Sequence, residues 1–285
     1  MVNGDVLIEK TNFDSYAKSL GDSSIDYSTY KMSFSEKVLY FLIAFAVGAF
    51  VGYLFYGGIG KDIDGNPTTL TYVLNTIIPL ITGIIAGKLF LPVRVKQIIE
   101  KRKKTLRLEF RDMLEALATS LNAGKNVPDS FKSTYDDLKV QYPEDAFILK
   151  EIERILIGID NNINIEDVLY DFGKRSGVVD IENFANVFKT SYRRGANIKE
   201  VIKNTHSIIG DKISIEMDIE TIVAANKMEQ YIMTVMPIGL VAMIKMIGPE
   251  FAENFTTPVG IISSTIAIVV FVVSYFISKE ILTIN

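Results

Sequence analysis

The sequence predicts an all-α membrane protein, four transmembrane helices carrying a cytoplasmic antiparallel helical bundle. Three observations point there. Mean hydropathy is positive, +0.25, although 22 % of the 285 residues are charged, so apolar and charged residues must be segregated along the chain. Four apolar runs are long enough to cross a bilayer. The long stretch between the second and third runs looks helical throughout and repeats one helix-start pattern.

Residues 1–37 are expected to form a cytoplasmic N-terminal segment. Up to Glu36 they carry Lys10, Lys18 and Lys31 against Asp5, Glu9, Asp14, Asp22, Asp26 and Glu36. A segment without a basic start, followed by a late apolar run, does not read as a signal peptide, so that run is expected to remain as an anchor. Residues 38–91 predict a transmembrane hairpin. Val38 to Ile59 contains no charge, and its 22 residues span roughly 33 Å as a helix. Leu70 to Leu91 holds only Lys88, near the end, where the side chain can snorkel to the headgroups. Residues 231–285 predict a second hairpin, from about Tyr231 to Gly248 and from Val259 to Ile277, with Pro237 and Lys245 inside its first helix.

Basic residues set the expected orientation. Between Pro92 and Arg111 there are eight cations against Glu100 and Glu109, whereas Gly60–Thr69 has only Lys61 and Pro249–Pro258 has none. Both short loops should face outward, leaving the termini and the central segment in the cytoplasm. That segment, residues 92–230, begins with a basic neck suited to anionic lipid. From Asp112 to Gln230 it carries 14 Lys and Arg against 21 Asp and Glu, and such an acidic body would repel nucleic acid.

Three helix starts in the body share a pattern: Asn126-Val-Pro-Asp129, Asn164-Ile-Glu-Asp167 and Asn197-Ile-Lys-Glu200. Each Asn stands where an N-cap belongs, with a carboxylate three residues on that favours the positive helix end. Gly124 and Gly195 each precede an Asn by two residues, where a left-handed residue closes the previous helix. The predicted helices are Pro92–Ala123, Val127–Val140, Pro143–Ile159, Ile165–Arg175, Ile181–Arg194 and a long one from Ile198 towards Met236. The first and last of these are expected to continue into membrane spans.

Gly83-Ile-Ile-Ala-Gly87-Lys88 superficially matches a phosphate loop, but the spacing is one residue short and no Ser or Thr follows the Lys. The same glycines, with Ala44-x-x-x-Gly48-x-x-x-Gly52, instead suit close packing of helices in lipid. Asp62-Ile-Asp64-Gly-Asn66 resembles the start of a calcium loop but lacks the closing Glu and reads as a polar turn. The third span is rich in Met (Met228, Met233, Met236, Met243, Met246), which fills bundle gaps or accommodates a shifting neighbour, and Pro237 should kink it. Lys245 is expected to snorkel. The basic neck (Arg102, Lys103, Lys104) and the turn residues Lys125, Arg193 and Arg194 are the candidates for docking a partner, against the plainer reading of solvated caps and lipid contact. There is no Cys and a single His, His206, so thiolate chemistry and metal sites built on Cys or His are excluded. No catalytic, cofactor-binding or metal-ligating set is expected.

The stretch Leu117-Ala-Thr-Ser-Leu-Asn-Ala-Gly124-Lys-Asn-Val-Pro-Asp-Ser-Phe131 is followed by Tyr192-Arg-Arg-Gly195-Ala-Asn-Ile-Lys-Glu-Val-Ile202 and by a long helix through Thr221-Ile-Val-Ala-Ala-Asn-Lys227. From Pro92 onward this resembles the type II secretion system F domain, in the single-domain form of platform proteins of tight-adherence (Tad) pili. The resemblance implies a non-catalytic inner-membrane protein at the base of a type IV-like filament or a type II secretion machine. Its implied partners are a hexameric secretion ATPase, a similar platform protein or a second copy, pilin transmembrane helices and membrane lipids, with no nucleic acid. A channel or transporter built from a helical bundle is the alternative, against which the spans hold almost no ionisable residue.

Overall fold

The helices observed in the computed structural model are α1 (Phe34–Tyr56), α2 (Thr69–Asn122), α3 (Val127–Gln141), α4 (Phe147–Asp160), α5 (Ile165–Ser176), α6 (Val179–Arg193), α7 (Ile198–Ile247), α8 (Pro249–Asn254) and α9 (Pro258–Leu282). Residues 25–62 and 66–282 are described, those at 249, 250, 279, 280 and 282 by backbone alone. The chain is 84 % helical, with no strand among the described residues.

Capping chemistry explains several boundaries. The Asn126 side chain accepts the Asp129 N–H at 2.8 Å, and Asn197 accepts that of Glu200 at 3.4 Å, as their spacing predicts. At Asn164 the backbone alone opens the helix, since its side chain makes no capping bond to the first turn. Gly124 and Gly195 take φ of +87° and +64°, closing α2 and α6 in the left-handed region that a side chain disfavours.

Three predicted starts shift. Helix α4 begins at Phe147 rather than Pro143, because residues 143–146 close a turn in which Ala146 N–H donates to the Pro143 carbonyl at 2.9 Å. Helix α6 begins at Val179, earlier than Ile181. Pro92 does not start a helix: α2 runs unbroken through Pro79 and Pro92 for 54 residues. Helix α7 likewise passes Pro237 without ending and reaches 50 residues. Proline costs a backbone bond in a helix interior, but apolar spans tolerate it where local adjustment satisfies the freed carbonyl.

The described residues form two compact units. The first comprises 25–31 and 96–215, the second 32–95 and 216–282. In the first, α2 to α7 all contribute to one apolar core, with Phe110, Phe131, Phe172, Phe184 and Phe188 fully buried. Phe110 meets Phe172 and Phe184 edge-on, at centroid separations of 6.1 and 5.4 Å. In the second unit the apolar side chains point outward: Val47, Phe50, Ile262 and Phe276 are all exposed. Helices α1, α2, α7 and α9 are each long and apolar enough to cross a membrane, which accounts for an outward apolar surface.

Candidate functional site

The α1–α2 hairpin is assembled on glycine. A Cβ at Gly52 would lie 2.2 Å from Thr82 Oγ1, and one at Gly48 would lie 2.5 Å from Ala86 Cβ. From the other side, Gly83 and Gly87 receive the rings of Phe45 and Phe41, which a Cβ would meet at 2.7 and 2.5 Å. The small residues singled out in sequence are therefore notches by which two spans of one chain approach each other. Gly83 and Gly87 lie mid-helix and buried, unlike the glycines of a phosphate loop. Lys245 donates to the Gly57 carbonyl at 3.4 Å and stands over the Phe255 ring at 5.2 Å, so it caps a loop as well as reaching the span end.

Sequence reasoning missed the most elaborate polar site, which lies in the first unit. Glu151 on α4 is 1 % exposed. Its carboxylate accepts Arg175 Nη1 at 2.9 Å and Nη2 at 2.7 Å, and the Tyr27 hydroxyl at 2.9 Å. Arg154 stands 3.7 Å away, and Asp171 takes Arg175 Nε at 2.6 Å. Burial works against the Arg175 charge, but the hydrogen bonds and charges of Glu151 and Asp171 outweigh it and hold the guanidinium protonated. Burial first, then the adjacent Glu151 carboxylate, pushes the Tyr27 hydroxyl far above its usual range.

This network straps residues 25–31 onto the unit. Tyr27 N–H donates to the Arg175 carbonyl at 3.0 Å, Arg175 Nη1 donates back to the Ile25 carbonyl at 3.1 Å, and the Tyr27 ring meets Phe147 edge-on. Gly177, at φ +58°, lets the strap pass: a Cβ there would lie 2.1 Å from Ser28 Oγ and 3.1 Å from Lys103 Cε. Arg102 stacks over the Tyr30 ring at 4.3 Å. Only the alternation of Tyr with polar residues marks residues 25–31 in the sequence, and that pattern has no period of its own.

The docking candidates divide by what they touch. Arg102 lies against the strap and Lys103 beside Gly177, as above, while Lys104 is exposed. Lys125 donates to Ser133 Oγ. Arg193 pairs with Glu166 at 3.1 Å and Asp167 at 3.3 Å, tying α6 to the first turn of α5, where Lys189 also reaches Asp167 at 2.8 Å. Arg194 is exposed. His206 lies on a helix face, 3.9 Å from Glu115. A second buried acid, Glu109, accepts the Ile148 N–H at 2.9 Å, so α2 supplies the cap that Ala146 lacks. Burial raises its pKa from 4.5 against the lowering effect of that backbone bond.

Among the described residues no group of His, Cys, Asp and Glu is arranged to hold a metal ion. Asp62 N–H donates to the Asn66 carbonyl at 3.0 Å, while Asp64 lies outside the described residues. The six Met of α7, the five singled out in sequence and Met217, are all exposed. The class these features define is an all-helical membrane protein with four candidate spans and a helical unit rich in buried ion pairs. No family model, curated protein or solved structure matches the chain.

Proposed function

We propose that the chain is a non-catalytic platform protein of the type II secretion F-domain kind, acting at the base of a Tad or other type IV-like filament or a type II secretion machine. One observation carries the reading. Helices α2 and α7 each combine, without a break, an apolar stretch long enough to cross a membrane with residues of the apolar core, such as Leu114 and Ile209. A continuous helix transmits displacement along its axis, whereas a flexible linker absorbs it. In this reading the helical unit is a cytoplasmic antiparallel bundle that takes the push of a hexameric secretion ATPase. The spans lie in the inner membrane and offer the surface past which pilin helices move. The exposed Met side chains of α7 suit a surface that repacks against successive neighbours.

The test is gentle detergent extraction of the tagged full-length protein from its native membrane, with crosslinking and mass spectrometry of what co-purifies. Recovery of a secretion ATPase, a second F-domain protein or pilins supports the platform, and a homo-oligomer free of all three overturns it. Lys125→Glu with Arg194→Glu then tests the docking tip. These positions are preferable to Arg193, whose replacement would also break its internal pairs to Glu166 and Asp167.

A further inference from the structure

Within the second unit, α7 and α9 flank an open groove of about 390 Å³ where their apolar runs meet polar sequence. Its walls carry Asn226, Glu229, Gln230, Ser274 and Ser278 beside three apolar side chains. An adjoining cavity of about 220 Å³ shares Gln230, Ser274 and Ser278. It extends about one turn further into both apolar runs, against Thr234, Val270, Phe271 and Tyr275. The pair is thus amphiphilic, with a groove of mixed polar and apolar walls and an apolar chamber reaching further into the two apolar runs.

Two features indicate what the polar side of the groove takes. Gln230 Nε2 is buried from solvent yet makes no hydrogen bond, and such a donor is costly to leave unsatisfied. Glu229 is the one carboxylate among the described lining residues. A carboxylate only accepts hydrogen bonds, and its natural complement is a group with several N–H donors and a positive charge. Neutral donors from Gln230, Asn226 and the two serines suit a phosphodiester without overcompensating its charge. The volume of the larger groove falls in the range of small-molecule sites.

We propose that this site binds a phospholipid whose headgroup ends in a primary ammonium, of the phosphatidylethanolamine class. The ammonium faces Glu229, the phosphate oxygens take the Gln230 amide and the serine hydroxyls, and the first part of one acyl chain fills the apolar chamber. A quaternary ammonium lacks the N–H donors that Glu229 needs. A net anionic headgroup brings like charge against Glu229.

The test is native mass spectrometry of the full chain, loaded from mixed micelles holding equal phosphatidylethanolamine, phosphatidylcholine and phosphatidylglycerol. The expected result is selective retention of phosphatidylethanolamine. Glu229→Gln should lower its preference over phosphatidylcholine about tenfold, the size of one lost charge-assisted hydrogen bond. Ser278→Ala should reduce retention of the lipid without changing helix content by circular dichroism. Equal retention of the three lipids, retention of phosphatidylglycerol above the others, or a preference unchanged in Glu229→Gln would each overturn the proposal. A Glu229→Gln protein with altered helix content hands the decision to Ser278→Ala. The outcome is independent of which proteins co-purify.

Discussion

Replacing Glu151 by Ala should be among the most damaging single changes in the helical unit. The substitution removes the acceptor of two Arg175 bonds, at 2.9 and 2.7 Å, and of the Tyr27 hydroxyl at 2.9 Å. Arg175 would keep Asp171, which is more exposed, and the Ile25 carbonyl, while Arg154 would lose its nearby carboxylate. Breaking a buried ion pair from one side costs about 3–5 kcal/mol, because the remaining charge stays buried. Tyr27→Phe removes only one hydrogen bond to the carboxylate and keeps the ring against Phe147, so its cost should be about 1.5–3 kcal/mol. For a unit of this size, loss of Glu151 should lower the unfolding midpoint by about 10 °C or more.

The assay is thermal unfolding of the full chain in detergent, followed by far-ultraviolet circular dichroism and by the near-ultraviolet tyrosine signal. A double-mutant cycle sharpens it: Tyr27→Phe should cost far less in the Glu151→Ala background, since its partner has already gone. Glu151→Leu with Arg175→Met should recover much of the loss by replacing the pair with apolar volume. A Glu151→Ala midpoint within about 2 °C of the parent, or additivity of the two single changes, would show that the network is worth no more than a surface pair.

Other positions make sharper contrasts. Gly52→Leu should destabilise the hairpin strongly, because even a Cβ would lie 2.2 Å from Thr82 Oγ1; Gly210→Ala, with open space around it, should raise the midpoint through a gain of about 1 kcal/mol in helix propensity. Asn126→Ala should cost about 1 kcal/mol, measured by the same melts, since its cap bond to Asp129 is 2.8 Å long. Glu109 should impose a pH slope of definite sign. Its folded pKa lies above the ordinary 4.5, so the folded protein binds the proton more tightly and stability falls as pH rises from 4.5 through the raised value. Glu109→Gln keeps an acceptor for Ile148 N–H and should flatten that slope in melts recorded between about pH 4 and 7.

The legible parts of this molecule are those written in local chemistry. Four long apolar runs announce four spans because hydrocarbon leaves backbone amides no partner outside the helix. Asn126 and Asn197 announce helix starts because a short side-chain acceptor reaches amides two or three residues on. The Gly48, Gly52, Gly83 and Gly87 spacing foretold a close approach without saying whose helix approached, since the motif serves intrachain and intersubunit contact alike. Asn164 shows the limit of a pattern, for the residue stands at the predicted place while its side chain makes no capping bond to the first turn. The start of α4 was misplaced for a related reason: its cap comes from Glu109, 39 residues away on another helix.

The strap was illegible because its meaning is entirely non-local. Tyr27 and Glu151 are 124 residues apart, and nothing around either residue distinguishes a buried partner from one of the many exposed acids. Yet a folded unit can bury a carboxylate at low cost only where it can gather cations around it. Arg154 and Arg175, one turn from Glu151 and at the end of α5, are the residues that do so. A buried charge set of this kind contributes little net stability over an apolar core, but it penalises every arrangement in which one member is left alone. In this unit the strap residue Tyr27 is one of those members. Its release would expose an acceptor already shared by two arginines, so the strap is held by specificity more than by area, and Tyr27→Phe should loosen it while leaving the apolar core intact.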